Sequence, residues 1–139
     1  MMLGVWMGCA HAVAPVGEVL PLRVRGATLR AHVADEPLER EHGLMEVTEL
    51  GADEGMVFVY PSAALRYFWM KHTPTALAIA FCDDTGKVVE LAEMKPLDLT
   101  LTPSKAPAMY VIEANQGWFS AHGVARGDTV VGLPSGSAR

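Results

Sequence analysis

Residues 68–73 read FWMKHT: two aromatics and a methionine, then a cation, an imidazole and a hydroxyl. Strand alternation sends Phe68 and Met70 to the core and places Trp69 and Lys71 together on the other face, with His72 and Thr73 at the strand's end. A flat indole beside an ammonium donor is a surface that can hold a small polar or carbohydrate-like ligand. Glu93 lies among Leu91, Ala92 and Met94 in another apolar segment. It is the carboxylate expected to reach Lys71 or Arg66, because a half-buried acid needs a donor. Trp69, Lys71, His72 and Glu93 are therefore the candidate ligand-binding residues.

The same residues admit two other chemistries. Soft thioethers with an imidazole can hold Cu(I), and Met70, His72 and a second methionine from Met45, Met56 or Met94 would supply that set; core packing is the simpler account of the same methionines. Glu93 or Glu113 can act as the general base of a hydrolase. That reading needs a second group in reach, and no carboxylate pair, Ser/His/Asp order or Gly-rich phosphate loop is present. Arg40 can clamp an anion or tie its helix to Glu36, Glu39 or a backbone carbonyl. Cys82 reads as an inert thiol inside an apolar strand. His32, His42, His72 and His122 lack zinc-motif spacing.

The elements that must position these groups are mostly short strands. Residues 22–34 alternate around Gly26 as a hairpin whose apolar face is Leu22, Val24, Leu29, Ala31 and Val33. Asp35-Glu36-Pro37 starts a helix over about 36–42 that Gly43 stops, with Leu38, Leu44 and Met45 expected to anchor it in the core. A strand over 55–60 is expected to end at Pro61, and 67–70 is the next. Residues 77–94 form the clearest hairpin, with Leu77, Ile79 and Phe81 on one face and a turn at 83–86. Residues 95–108 read as a long crossing loop. A strand over 109–114, a helix over 116–122 capped by Asn115 and a last strand over 128–133 follow. About seven short strands and two short helices predict a mainly β domain, an antiparallel sandwich or small barrel.

At 139 residues the chain fits one domain, expected over 20–133 with a frayed tail at 134–139. A net charge of −5 with scattered basic residues excludes a phosphate-tracking surface and hence a nucleic-acid partner. No run of eighteen apolar residues exists, so no helix spans a bilayer. Residues 1–15, MMLGVWMGCAHAVAP, are apolar and rich in small residues, and Ala10-His11-Ala12 has the form of a signal-peptidase site. They read as a signal-peptide remnant, or else as a disordered N-terminus. The expectation is an exported protein, periplasmic or extracellular. Cys9 is the alternative, a lipid-modified anchor to the membrane.

Six linked motifs run through the chain in order: RxxGLM (Arg40 to Met45), DEGM (Asp53 to Met56), FWMKHT, EMKP (Glu93 to Pro96), Thr102-Pro103-Ser104, and YVIEANQGWF (Tyr110 to Phe119) with the HG and GD pairs after it. This succession over residues 22–132 resembles the family of domains of unknown function 192 (DUF192). The resemblance implies a compact, mainly β domain, often behind a signal peptide or lipoprotein signal, and no particular reaction. Three positions depart from the family's pattern: His72 stands where Asn is usual, Ala78 where an acid or hydroxyl is, and Thr102 where Tyr is. A catalytic reading that needed a carboxylate at 78 would fail here. The resulting expectation is a non-catalytic binding module for a small polar ligand or an envelope component, without cofactor, with Cu(I) binding and Glu-based hydrolysis as alternatives.

Overall fold

The computed structural model describes residues 11–136. Cys9 and the beginning of the expected signal segment lie outside the described residues. Within that segment, Val13 exchanges hydrogen bonds with Thr48, its amide donating to Oγ1 at 2.8 Å and its carbonyl accepting the Thr48 amide at 2.9 Å.

Eight strands and two short helices make up the domain: β1 Val19–Val24, β2 Ala27–Ala34, α1 Pro37–His42, β3 Glu54–Ala64, β4 Tyr67–Phe68, β5 Leu77–Cys82, β6 Val88–Met94, β7 Thr102–Pro103, β8 Ala108–Asn115 and α2 Trp118–Ala121. Six of the strands form one sheet in the order β1-β2-β3-β8-β5-β6, and β4 pairs with β7 as a separate two-stranded ribbon. The mainly β class with two short helices is thus as expected. One pairing is not antiparallel: β2 and β3 run parallel. Parallel neighbours cannot be joined by a tight turn, and α1 with the loop after it is the crossover that returns the chain to the start of β3.

Residues 128–131 join the two edges of the sheet. Arg23 on β1 and Val131 exchange two backbone hydrogen bonds of 2.9 and 2.8 Å, while the Val88 amide on β6 donates to Asp128 and the Val130 amide to Gly86, both at 2.8 Å. The sheet therefore curls like a small barrel, and the strand expected over 128–133 is reduced to these bridges. The concave face takes side chains from all six strands. Leu22, Leu29, Val57, Ala80, Cys82 and Ile112 pack there with Trp118 and Phe119 of α2. Burial pushes the Cys82 thiol up to about 12, the state of an inert core cysteine. The convex face carries a second core, in which Met56, Phe58, Ile79, Phe81 and Val111 are covered by Leu44, Val47, Met70 and Met94 from the loops.

Two local expectations fail for reasons of context. Pro61 does not end β3, which continues to Ala64 through an irregularity between Val59 and Ala64; Pro61 sits inside that irregularity, where a missing amide breaks no ladder bond. Leu38 is 79% exposed. The anchors of α1 are Leu44, just past its end, and the bonds the Arg40 guanidinium donates to backbone carbonyls, because a helix of under two turns turns only part of its apolar set inward.

Candidate functional site

Among the openings of the convex core, one gathers aromatic and charged side chains. Between α1, β3, β8 and the β4/β7 ribbon lies a cavity of about 190 Å³, lined among others by Arg40, Phe58, Tyr60, Trp69, Lys71 and Glu113. Such a volume is below the ~300–1,000 Å³ of pockets that enclose drug-sized ligands, so it suits a small molecule or one end of a larger one.

Each wall follows from local sequence. Helix α1 begins in a capping box formed by Glu36 and Glu39 and ends at Gly43, whose φ of 52° favours glycine. A Cβ at Gly43 would lie 3.2 Å from the Phe58 ring, so the same glycine lets the helix end settle on β3. Arg40 fixes the other end of this contact by donating to the carbonyls of Asp35 (2.6 Å) and Val59 (3.0 Å). Of the partners expected for Arg40, the backbone carbonyl is the one realised. Alternation along β3 brings Phe58 and Tyr60 to the convex face. The ribbon faces them: Phe68 packs edge-on against Phe58 at 4.9 Å between centroids and against Phe81 at 6.0 Å.

The ribbon is fastened by backbone bonds from Met70 to Asp98 and from Ser104 to Arg66, both 2.8 Å. The Arg66 guanidinium donates to Ala108 and Ser62 carbonyls and lies 3.6 Å from the Tyr60 centroid, with Arg40 at 5.0 Å from the same ring. Burial pushes the Tyr60 hydroxyl up and lowers Arg66, each opposed by attraction between the two. Both arginines are thereby committed to carbonyls and to one aromatic face.

Glu113 is the buried acid of the cavity. Its residue is 4% exposed and projects from β8 between Met56 of β3 and Ile79 of β5, its register neighbours in the sheet. Among the described residues it makes no ion pair or hydrogen bond through its side chain. Burial, with no opposing cation, pushes its carboxyl up to about 8. From the sequence, Glu113 has only a subsidiary place as an alternative base, Arg66 stands only as a donor for Glu93, and Tyr60 carries no signal. The one signal available was that Arg40, Gly43 and Glu113 all fall within the linked motifs.

The four candidate residues divide. Trp69 and Lys71 are brought together, although the strand expected over 67–70 ends at Phe68 and Lys71 lies in the turn that follows: both line the cavity, Trp69 is 44% exposed, and the Lys71 ammonium lies 5.2 Å from the indole centroid. His72 and Glu93 are not part of this lining. His72 is exposed, takes a φ of 55°, and its carbonyl accepts the Glu46 amide at 2.6 Å. Met70, its partner in the Cu(I) reading, is buried in the convex core with Met94. Glu93 pairs with neither Lys71 nor Arg66. It accepts the Gly117 amide at the start of α2 with both oxygens, at 3.2 Å each. Alternation along β6 turns it away from the side where Met94 is buried. Glu93→Ala should cost about 0.5–1.5 kcal/mol in urea unfolding, the worth of an ordinary hydrogen bond, and leave binding in the cavity unchanged.

Fold and cavity together define a small curled β domain of mixed sheet with an aromatic-walled cleft, holding one buried acid, on its convex face. The chain belongs to the DUF192 family (Uncharacterized ACR), whose pattern matches residues 20–132. A candidate transcription regulator from Sinorhizobium meliloti 1021 has a similar structure, with a TM-score of 0.80 and 28% identity over 86% of this chain and 98% of that one. A protein of unknown function from Novosphingobium aromaticivorans DSM 12444 is similar with a TM-score of 0.77 and 32% identity, over 86% of this chain and 93% of that one. No curated protein matches the chain.

Proposed function

We propose that this domain is a non-catalytic binding module for a small polar, carbohydrate-like ligand held between α1, β3, β8 and the β4/β7 ribbon. The observation that carries this reading is the Glu113 carboxyl, on a residue 4% exposed, without a protein partner and opening onto a cavity with aromatic walls. A buried polar group is expected to be satisfied, and a ligand is what would satisfy it here. Trp69 and Tyr67, exposed at the mouth, supply flat apolar faces, and Lys71 supplies a donor. Hydrolysis would need a second group acting with Glu113, and none is hydrogen-bonded to it among the described residues. That supports binding over catalysis.

The reading extends to an exported setting, on the strength of the apolar segment before Ala12. An envelope component larger than the cavity would continue along the ribbon, where Leu97, Leu99 and Leu101 are exposed on the chain that runs beside Tyr67 and Trp69. Calorimetric titration with a panel of neutral, acidic and amino monosaccharides tests the proposal. At least one class should bind saturably, at least tenfold more weakly in Trp69→Ala and Lys71→Ala and equally well in Glu93→Ala. Absence of binding by every class, or binding indifferent to Trp69 and Lys71, would refute it.

A further inference from the structure

Within the binding reading above, on which this step rests, we infer that the ligand carries an ammonium group that sits against the Glu113 carboxylate inside the aromatic wall. An acid enclosed without a cation is the unfilled half of an ion pair. The protein's own cations do not fill it: Arg40 is held by two carbonyls, Arg66 by carbonyls and the Tyr60 ring, and Lys71 lies over Trp69 at the mouth. The surrounding walls are Phe58, Tyr60, Tyr67, Phe68 and Trp69. Aromatic faces attract cations, most strongly where water is excluded, so carboxylate and walls select the same ligand group. A neutral sugar would satisfy the acid by hydrogen bonds alone and an anion would be repelled once it ionises, so neither uses the carboxylate and the rings together as a cation does.

The other titratable groups facing the cavity are Arg40, Glu41 and His42 on α1, Tyr60 on β3, and Tyr67 and Lys71 on the ribbon. From β3 and β5 the neighbours of Glu113 are the apolar Met56 and Ile79. Lys71, beside the exposed Trp69 at the mouth, suits a hydroxyl or carboxylate at the ligand's other end. Glu113 is held protonated below about 8, so a cation must displace that proton. Binding should release up to one proton at pH 6–7 and tighten as pH rises through 8.

Choline and its neutral carbon isostere 3,3-dimethylbutan-1-ol are suitable probes, because neither titrates in this range. At pH 9 the full chain should bind choline at least tenfold more tightly than the isostere, and the ratio should fall toward one at pH 6. Glu113→Gln should remove the preference at pH 9 while the isostere still binds. Equal affinity of wild type for both probes at pH 9, with both weakened by Trp69→Ala, would overturn the ammonium assignment and leave the binding reading standing. Should neither these probes nor any monosaccharide bind, both fall. The comparison of probes and pH in the wild-type chain holds even if Glu113→Gln does not fold.

Discussion

The wild-type protein is expected to lose stability between about pH 4.5 and 8, and Glu113→Gln to abolish most of that loss. In the unfolded chain this carboxyl titrates near its ordinary 4.5, and in the fold burial pushes it up to about 8. Between those values the folded state keeps a proton that the unfolded state gives up. The unfolded state thus binds fewer protons, and stability falls with rising pH across the window, flattening above it. At ~1.4 kcal/mol per unit the shift amounts to a loss on the order of 5 kcal/mol. For a chain of this size that is a melting-temperature drop of roughly 10–20 °C.

Other acids act in the opposite sense at lower pH. Glu54 is lowered by the Gly51 amide and by His32, and Glu90 is lowered overall because the Leu91 amide and Arg126 outweigh its burial. Their contribution is present above the unfolded carboxylate value and lost as pH falls through their folded values, so wild-type stability should peak in mildly acidic solution. Thermal melts from pH 5 to 9, followed by circular dichroism, measure this directly. Parallel curves for wild type and Glu113→Gln would mean that the acid is solvated.

Gly55→Ala should be the most damaging single-atom change in β3, costing more than about 3 kcal/mol and leaving little soluble protein. Gly55 pairs with Ala114 across the β3–β8 contact at the centre of the sheet. A Cβ there would overlap the Glu113 carbonyl oxygen and lie 3.1 Å from Leu29 Cδ2. Backbone cannot move aside as a flexible side chain can, so the two strands would have to part. Gly51→Ala is the matching control. Its Cβ would lie 3.4 Å from Glu54 Cβ, ordinary contact at an exposed position, so it should change stability by less than about 0.5 kcal/mol. Comparable urea midpoints for the two variants would contradict this account of the DEGM segment, in which glycine lets β3 approach the strand that carries the buried acid.

Periodicity made much of the fold legible. Leu22, Val24, Leu29, Ala31 and Val33 share a buried face, and so do Leu77, Ile79 and Phe81, because alternation is a property of the strand itself. Trp69 does meet Lys71 as expected, but through the turn after β4 and not along a strand. Leu38 was misjudged, since a two-turn helix does not announce which of its residues will meet a sheet. The parallel β2–β3 pair was equally hidden, because α1 reads as a helix without revealing where its chain returns.

Glu93 and Glu113 show the limit most clearly. Each alternates with apolar neighbours in a strand, and nothing local separates them. Glu93 reaches solvent and the start of α2, while Glu113 is enclosed by the helix, the ribbon and the facing strand residues. The sequence by itself determined which side chains share a strand face, where turns fall and that the core is mainly β, because those depend on neighbours two to four residues apart. Only the tertiary structure decided which acid is buried, since desolvation comes from segments tens of residues away that close over one face of the sheet and not the other.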